Sequence, residues 1–244
     1  MTAGLPKILI NMSMTADGKI ASENRRISSF GSRQDQENLH RLRSKVDAIL
    51  CGARTVDLNR VSMGNGPRAF HEARMAAGLE KFPLRIIATG KGTLDPRAFI
   101  FGKKLGPIVI LTSQLAGRSR LAALRKLSAE VYVDPSDEIH FREAFVWLKK
   151  KWGVHTLLCE GGGALNDALI RARLVDELHL TICPFVLGGR KAPTIADGQG
   201  AANLASCIDF RIKSSRKNGN ELFLVLSPKK QGSTPRLPGV ALEG

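Results

Sequence analysis

Residues 155–183, HTLLCEGGGALNDALIRARLVDELHLTIC, read as strand, helix, strand. His155–Cys159 is a short apolar run that ends on a carboxylate and three glycines. Ala164–Ala172 carries its apolar residues at helical spacing, and Glu177–Cys183 returns to an extended, apolar pattern. A strand that feeds a helix and then a second strand is the unit from which parallel sheets are built, so this stretch points to an α/β fold.

The same alternation continues on either side. Toward the N-terminus, strands are expected at Ile8–Met12, Asp47–Cys51, Leu84–Thr89, Ile108–Thr112 and Glu130–Val133. Helices are expected at Gln34–Val46, where Leu39, Leu42 and Val46 share a face, at Arg120–Leu127 and at Ile139–Trp152. Gly64-Asn65-Gly66-Pro67 marks a loop, and the residues after it, as far as Phe82, fit no single element. Toward the C-terminus the pattern changes. Phe210–Ser214 and Glu221–Ser227 flank Lys217-Asn218-Gly219-Asn220, and Asn-Gly between apolar runs predicts a hairpin. The expected architecture is a mostly parallel central sheet flanked by helices and closed by a C-terminal antiparallel hairpin. It forms one domain over residues 1–227, and residues 228–244 form a tail.

Composition narrows the function. The 244 residues are 43% hydrophobic, enough for a core, and no apolar run reaches the roughly 18 residues that span a bilayer. Met1–Pro6 lacks a basic segment followed by an apolar one, so a cytoplasmic protein is expected. Cys51, Cys159, Cys183 and Cys207 are scattered and read as reduced, space-filling thiols, not as disulfide partners or metal ligands. The formal charge is +15, from 37 Lys and Arg against 22 Asp and Glu. These cations are spread along the chain with one Tyr and two Trp, so they suggest a site for phosphates and no nucleic-acid partner. Lys149–Lys151, the densest run, ends an amphipathic helix where cations are favoured.

Three loops could carry chemistry. Glu160-Gly161-Gly162-Gly163-Ala164 lets backbone approach a ligand and offers helix-start N–H groups to a phosphate, although a tight packing turn would look the same. Glu160 sits at a strand's carboxyl end, where open α/β sheets bind ligands; a structural salt bridge is the alternative. Gly52-Ala53-Arg54-Thr55 also follows a strand, and the Thr55 hydroxyl could hold a pyrophosphate or cap a helix. Ser13-Met14-Thr15-Ala16-Asp17-Gly18-Lys19 is, alone, only the loop after the first strand.

Taken together these segments resemble the reductase domain of riboflavin biosynthesis, a relative of dihydrofolate reductase. The resemblance rests on Ser13 to Lys19, on Leu42-Arg43 through Asp47 to Val56, and on Glu160 to Leu178. The Pro184 to Gly189 segment extends it, and it covers roughly residues 7–227. It implies a dihydrofolate reductase-like fold, a homodimer, the cofactor NADPH, and reduction of a phosphorylated ribosylamino-pyrimidine to its ribitylamino form. By the same resemblance Met14, Thr55, Asn59, Gly161, Gly162, Gly163 and Ala164 would contact the cofactor. Ser28, Ser29 and Glu160 would contact the substrate, and Glu160 and Asp17 are the candidate catalytic carboxylates. Lys91, Arg118 and Arg120 follow strands where they could meet the 2′-phosphate of NADPH.

The chain departs from that family after Thr55-Val56. An Asp-Asp-Pro segment is usual there, followed by an arginine for the substrate phosphate; this chain has Asn59-Arg60-Val61, so Arg60 or Arg68 would have to replace that arginine. The His-x-Glu and Pro-Cys-x-x-Cys motifs of an accompanying zinc deaminase do not occur. The diamino-pyrimidine is therefore favoured over its deaminated form. A same-fold reductase of another substrate, such as a dihydropterin, and a non-enzymatic basic binding domain remain alternatives.

Overall fold

The computed structural model describes residues 4–25, 30–203 and 206–229. Among these, nine strands form one sheet: β1 Lys7–Thr15, β2 Ala48–Gly52, β3 Leu84–Thr89, β4 Ile108–Ser113, β5 Glu130–Asp134, β6 Thr156–Cys159, β7 Glu177–Cys183, β8 Phe210–Asn218 and β9 Glu221–Pro228. Their order is β5-β4-β3-β2-β6-β1-β7-β9-β8. The seven strands from β5 to β7 run parallel, and β9 pairs antiparallel with both β7 and β8. The helices are α1 Arg33–Arg43, α2 Ala53–Leu58, α3 Arg68–Ala76, α4 Gly117–Leu127, α5 Phe141–Trp152 and α6 Gly163–Arg171. The α/β reading, with its parallel sheet and C-terminal hairpin, is correct.

Both faces of the parallel region are buried, which explains its nearly continuous apolar runs. Alternate residues of one strand enter opposite cores. Ile8, Ile10, Leu50, Leu157 and Cys159 pack with Phe145 and Leu148 of α5 and Leu165 and Leu169 of α6. Leu9, Ile49, Cys51, Ile110 and Leu158 pack on the other side with Val56 and with Leu124 of α4. Each such Leu or Ile taken fully from water stabilises the fold by about 1.5–3 kcal/mol. Two aspartates pin the register. Asp47 accepts the N–H groups of His155 at 2.9 Å and Thr156 at 2.7 Å, and Asp176 accepts that of Ile8 at 2.7 Å.

Several boundaries differ from the sequence reading. β1 runs on to Thr15, because its second half pairs with β7 from Asn11↔His179 to Thr15↔Cys183. α1 stops at Arg43, where the Ser44 N–H closes on the carbonyls of His40 and Leu42; Val46 is buried after the helix has ended. The stretch that fitted no element contains α3. In the hairpin Asn218 pairs with Glu221, so the loop is Gly219-Asn220 and not Asn218-Gly219. Gly219 takes φ +59°, a left-handed value a glycine adopts without cost. Pro228 still belongs to β9, and residues 230–244 of the expected tail lie outside the described residues.

This order leaves β6 inserted between β1 and β2, where the direction of strand addition reverses. In open α/β sheets the crevice at the carboxyl ends of strands around such a point is where ligands bind.

Candidate active site

A cleft of about 450 Å³ opens at that point. β1 contributes Asn11, Met12 and Ser13, the end of β2 contributes Gly52, and α2 contributes Thr55 and Leu58; Glu160 and Gly162–Leu165 follow β6. Asp35, Leu39 and Arg43 of α1 form another wall. The cleft continues over the ends of β3 and β4 into an outer trough of about 1540 Å³, which shares Gly52, Arg54, Ala164 and Asp197 with the inner part.

The glycine turn is built from backbone. Gly161 has φ +80°, and a Cβ there would come 2.8 Å from Met12 Sδ, so the position demands glycine. Its carbonyl accepts the Gly52 N–H at 2.9 Å, tying the two loops together. Gly162 is the N-cap of α6, with φ −74° and no capping side chain, and faces Thr55 across the cleft. The first-turn N–H groups of any helix lack an intrahelical acceptor, so this end of α6 offers donors to an anion.

Glu160 lies in the cleft wall, and its carboxylate is gripped by Arg43. Nε donates to Oε1 and Nη2 to Oε2, both at 2.6 Å, while Nη1 donates to the Gly64 carbonyl at 2.7 Å. Both side chains are only 10% exposed. Burial alone would depress the Arg43 guanidinium, but the Glu160 carboxylate beside it more than offsets this and holds it charged. Such a bidentate pair fixes the carboxylate's plane while leaving acceptor capacity on its oxygens. Burial also pushes the neighbouring Cys159 thiol up to about 12, which makes it an inert filler and not a nucleophile.

The other expected site residues divide into two groups. Thr55, Asn59, Glu160, Gly162, Gly163 and Ala164 meet in the cleft, with Gly161 directly behind them. Asn59 Nδ2 donates to the Thr55 carbonyl at 3.0 Å. Asp17, Met14, Arg60 and Arg68 do not line it. Asp17 accepts the N–H groups of Leu187 at 3.0 Å and Gly188 at 2.7 Å, so its carboxylate orders the loop after β7. Met14 stays within the longer β1 and packs on the core, while Met12 and Ser13 reach the cleft. Arg60 stacks over the Phe99 ring, and Arg68 points into solvent with Glu72. The cations that do line the cleft are Arg25, Arg43 and Arg54. Ser28 and Ser29 lie outside the described residues. Lys91 lines the outer trough, whereas Arg118 and Arg120 do not; Arg120 donates to the Lys91 carbonyl.

Sequence reasoning missed Arg43 and Asp35. Arg43 stood inside a quoted motif with no role attached, and an acid in the first turn of a helix reads as an ordinary dipole partner.

The family model of the RibD C-terminal domain matches residues 6–224. The chain belongs to this family. It is 32% identical over 225 residues to the 2,5-diamino-6-ribosylamino-4(3H)-pyrimidinone 5′-phosphate reductase of Methanothermobacter thermautotrophicus, covering 92% of this chain and 99% of that one. It is 29% identical over 222 residues to the protein of the same name from Aquifex aeolicus, covering 89% and 94%. A pyrimidine reductase-like protein from Corynebacterium diphtheriae has the same fold, with a TM-score of 0.75 at 20% identity over 94% of each chain. These relatives place the chain among oxidoreductases and imply a nicotinamide cofactor. The cleft fits such a group: the wall after β6 is glycine backbone at a helix start, whose first-turn N–H groups lack intrahelical acceptors and suit a phosphate.

Proposed function

We propose that this protein reduces 2,5-diamino-6-ribosylamino-4(3H)-pyrimidinone 5′-phosphate to its ribitylamino form, with NADPH, in riboflavin biosynthesis. The observation that carries this reading is the convergence of Thr55, Glu160 and the Gly162–Ala164 backbone on one cleft at the carboxyl ends of β1, β6 and β2. Gly162–Ala164 and Thr55 hold the dinucleotide's phosphates, and Asn59 stands beside them. Lys91, in the outer trough, meets the 2′-phosphate. Glu160, oriented by Arg43, accepts hydrogen bonds from the pyrimidine or the ribose. Arg25 and Arg54 take the place of Arg60 and Arg68 as partners for the substrate phosphate.

When bound, the reduced nicotinamide supplies a hydride to C1′ of the sugar. The chain's own part is to orient that carbon, exclude water and provide a proton. A homodimer in the cytoplasm completes the proposal.

The test is NADPH oxidation with three substrates: the diamino-pyrimidine phosphate, its deaminated counterpart and dihydrofolate. Turnover of the first above the other two is expected. Turnover of dihydrofolate alone would overturn the assignment, and light scattering in solution reads the oligomer.

A further inference from the structure

The reduction needs one proton, and neither Glu160 nor Asp17 is placed to give it. Each Glu160 oxygen accepts from the Arg43 guanidinium, so this carboxylate serves as an acceptor and not a donor, and Asp17 faces the loop after β7. Within the cleft wall, however, a second carboxyl group is buried. Asp35, in the first turn of α1, is 5% exposed, and its Oδ1 is enclosed without a hydrogen-bond partner. Its Oδ2 lies 2.6 Å from Ser13 Oγ, and Ser13 lines the same cleft from β1.

An ionised carboxylate enclosed with an empty acceptor is costly, because burial penalises charge and the unmade hydrogen bond adds to it. Among the described residues no cation forms an ion pair with Asp35. Arg43 is committed to Glu160. The groups that do face it are Glu221 on β9, Thr181 and the Cys183 thiol on β7, and Ser13 on β1. Glu221, whose carboxylate accepts the Ser32 N–H and hydroxyl, adds a like charge. Burial first, and Glu221 in addition, push the Asp35 carboxyl above the ordinary carboxylate range, with the Ser13 and Thr181 hydroxyls opposing. Ser13 Oγ donates to Oδ2 at 2.6 Å; when Asp35 is protonated the same contact reverses, its carboxyl O–H donating to Ser13 Oγ and freeing the serine's hydrogen for the cleft.

We propose that Ser13 and Asp35 form a proton relay, in which the Ser13 hydroxyl protonates the ribose ring oxygen as it leaves C1′ and Asp35 returns a proton to Ser13. This rests on the substrate reading above, and it balances. The nitrogen lone pair on C1′ expels the ring oxygen, the C1′–O bond breaks, and its electron pair takes the serine proton to give a hydroxyl. The resulting C1′=N iminium carbon accepts the hydride of the reduced nicotinamide, forming the new C1′–H bond. One hydride and one proton have entered, and Asp35 regains its proton from water. Ser13 is the residue that touches the substrate, and Asp35 acts through it.

The test compares wild type, Asp35→Asn, Ser13→Ala and Ser13→Thr with the diamino-pyrimidine phosphate and NADPH across pH. Asparagine keeps the shape of a neutral acid, so a folded protein is expected. Wild-type kcat/KM should fall as pH rises through the raised Asp35 value, because the protonated form is the active one. Asp35→Asn should lower kcat by roughly 100-fold or more and remove that alkaline limb, while the Kd for NADPH stays unchanged. Ser13→Ala should do the same, with Ser13→Thr restoring much of the rate. Should Asp35→Asn fail to fold, the serine pair carries the same test. Independently of turnover, the infrared spectrum of the ligand-free protein should show a protonated-carboxyl band that persists to higher pH than the ordinary carboxyls and that Asp35→Asn lacks. Absence of that band, or an Asp35→Asn enzyme within about threefold of wild type with its pH limb intact, overturns the relay. If the wild-type chain reduces no ribosylamino-pyrimidine, the proposed function falls and takes the relay with it; an active wild type paired with an active Asp35→Asn removes the relay alone.

Discussion

Glu160→Gln separates the structural and the functional duties of one side chain. The carboxylate accepts two short hydrogen bonds from Arg43, and both groups are only 10% exposed. A glutamine there keeps one acceptor but turns an NH₂ toward the guanidinium, donor against donor, and leaves the arginine's charge buried without its counter-ion. Removing one partner of such a pair costs about 3–5 kcal/mol. That is a large share of the roughly 5–15 kcal/mol by which domains are stable. At about 2–4 °C per kcal/mol for a chain of this size, the Tm should fall by roughly 6–20 °C. Urea titrations followed by the fluorescence of Trp147 and Trp152 read this loss directly. Activity per folded molecule should fall as well, by roughly 10- to 100-fold in kcat/KM, because a substrate donor would lose a charged acceptor. The double substitution Arg43→Met with Glu160→Met distinguishes the two effects. It removes both charges together and should recover much of the stability, since apolar replacements of buried pairs are often neutral or better. It should recover none of the activity. A Glu160→Gln variant that loses less than about 1 kcal/mol would refute the desolvated pair. A double variant with wild-type kcat/KM would show that Glu160 only holds the fold.

Gly162→Asp should fold, since this position has φ −74° and a Cβ would stand 3.3 Å from the Thr55 hydroxyl, yet its carboxylate should repel the cofactor's phosphates. Fluorescence titration should show the NADPH Kd raised by about 100-fold, roughly 2.7 kcal/mol; an unchanged Kd removes the phosphate role of the turn. NADPH should be preferred over NADH by about tenfold or more in kcat/KM, and Lys91→Ala should narrow that gap, because Lys91 lines the outer trough. Equal efficiency with both cofactors defeats this reading. Asp17→Ala should leave kcat/KM within about threefold of wild type. The Thr15 hydroxyl, then the Leu187 and Gly188 N–H groups, hold the Asp17 carboxyl down at about 2. A depressed carboxyl contributes order that is complete above its ordinary value and lost as pH falls through the folded one. The amide resonances of Leu187 and Gly188 should therefore titrate near pH 2 and be displaced at all pH in Asp17→Ala; a large activity loss would return Asp17 to the chemistry.

How much could be read beforehand depended on whether backbone or side chain does the work. The parallel strands were legible because burial on both faces demands unbroken apolar runs, and Leu84–Thr89 and Glu177–Cys183 matched to the residue. β8 was read four residues short. As the sheet's edge it is largely exposed, and Ser215–Asn218 carries no apolar signal that would extend it. The glycine turn was legible for the opposite reason, since only glycine suits the left-handed φ of Gly161 and the close approach of Met12.

Four of the expected site residues lie away from the cleft. Met14 and Asp17 lie elsewhere because β1 runs three residues past the end of its apolar pattern, its second half including Asn11, Ser13 and Thr15, which pair with β7 through backbone bonds that any residue can make. Arg60 and Arg68 moved because a cation's direction out of a loop is set by what it finds there, a phenyl ring for one and an i,i+4 glutamate for the other. Arg43 and Asp35 stand eight positions apart on α1, one drawn to the carboxylate just after β6 and the other sealed against β1, β7 and β9. Burial of a charge is a property of the assembled cleft, so its cost, and the function that justifies that cost, become visible only when distant strands are brought together.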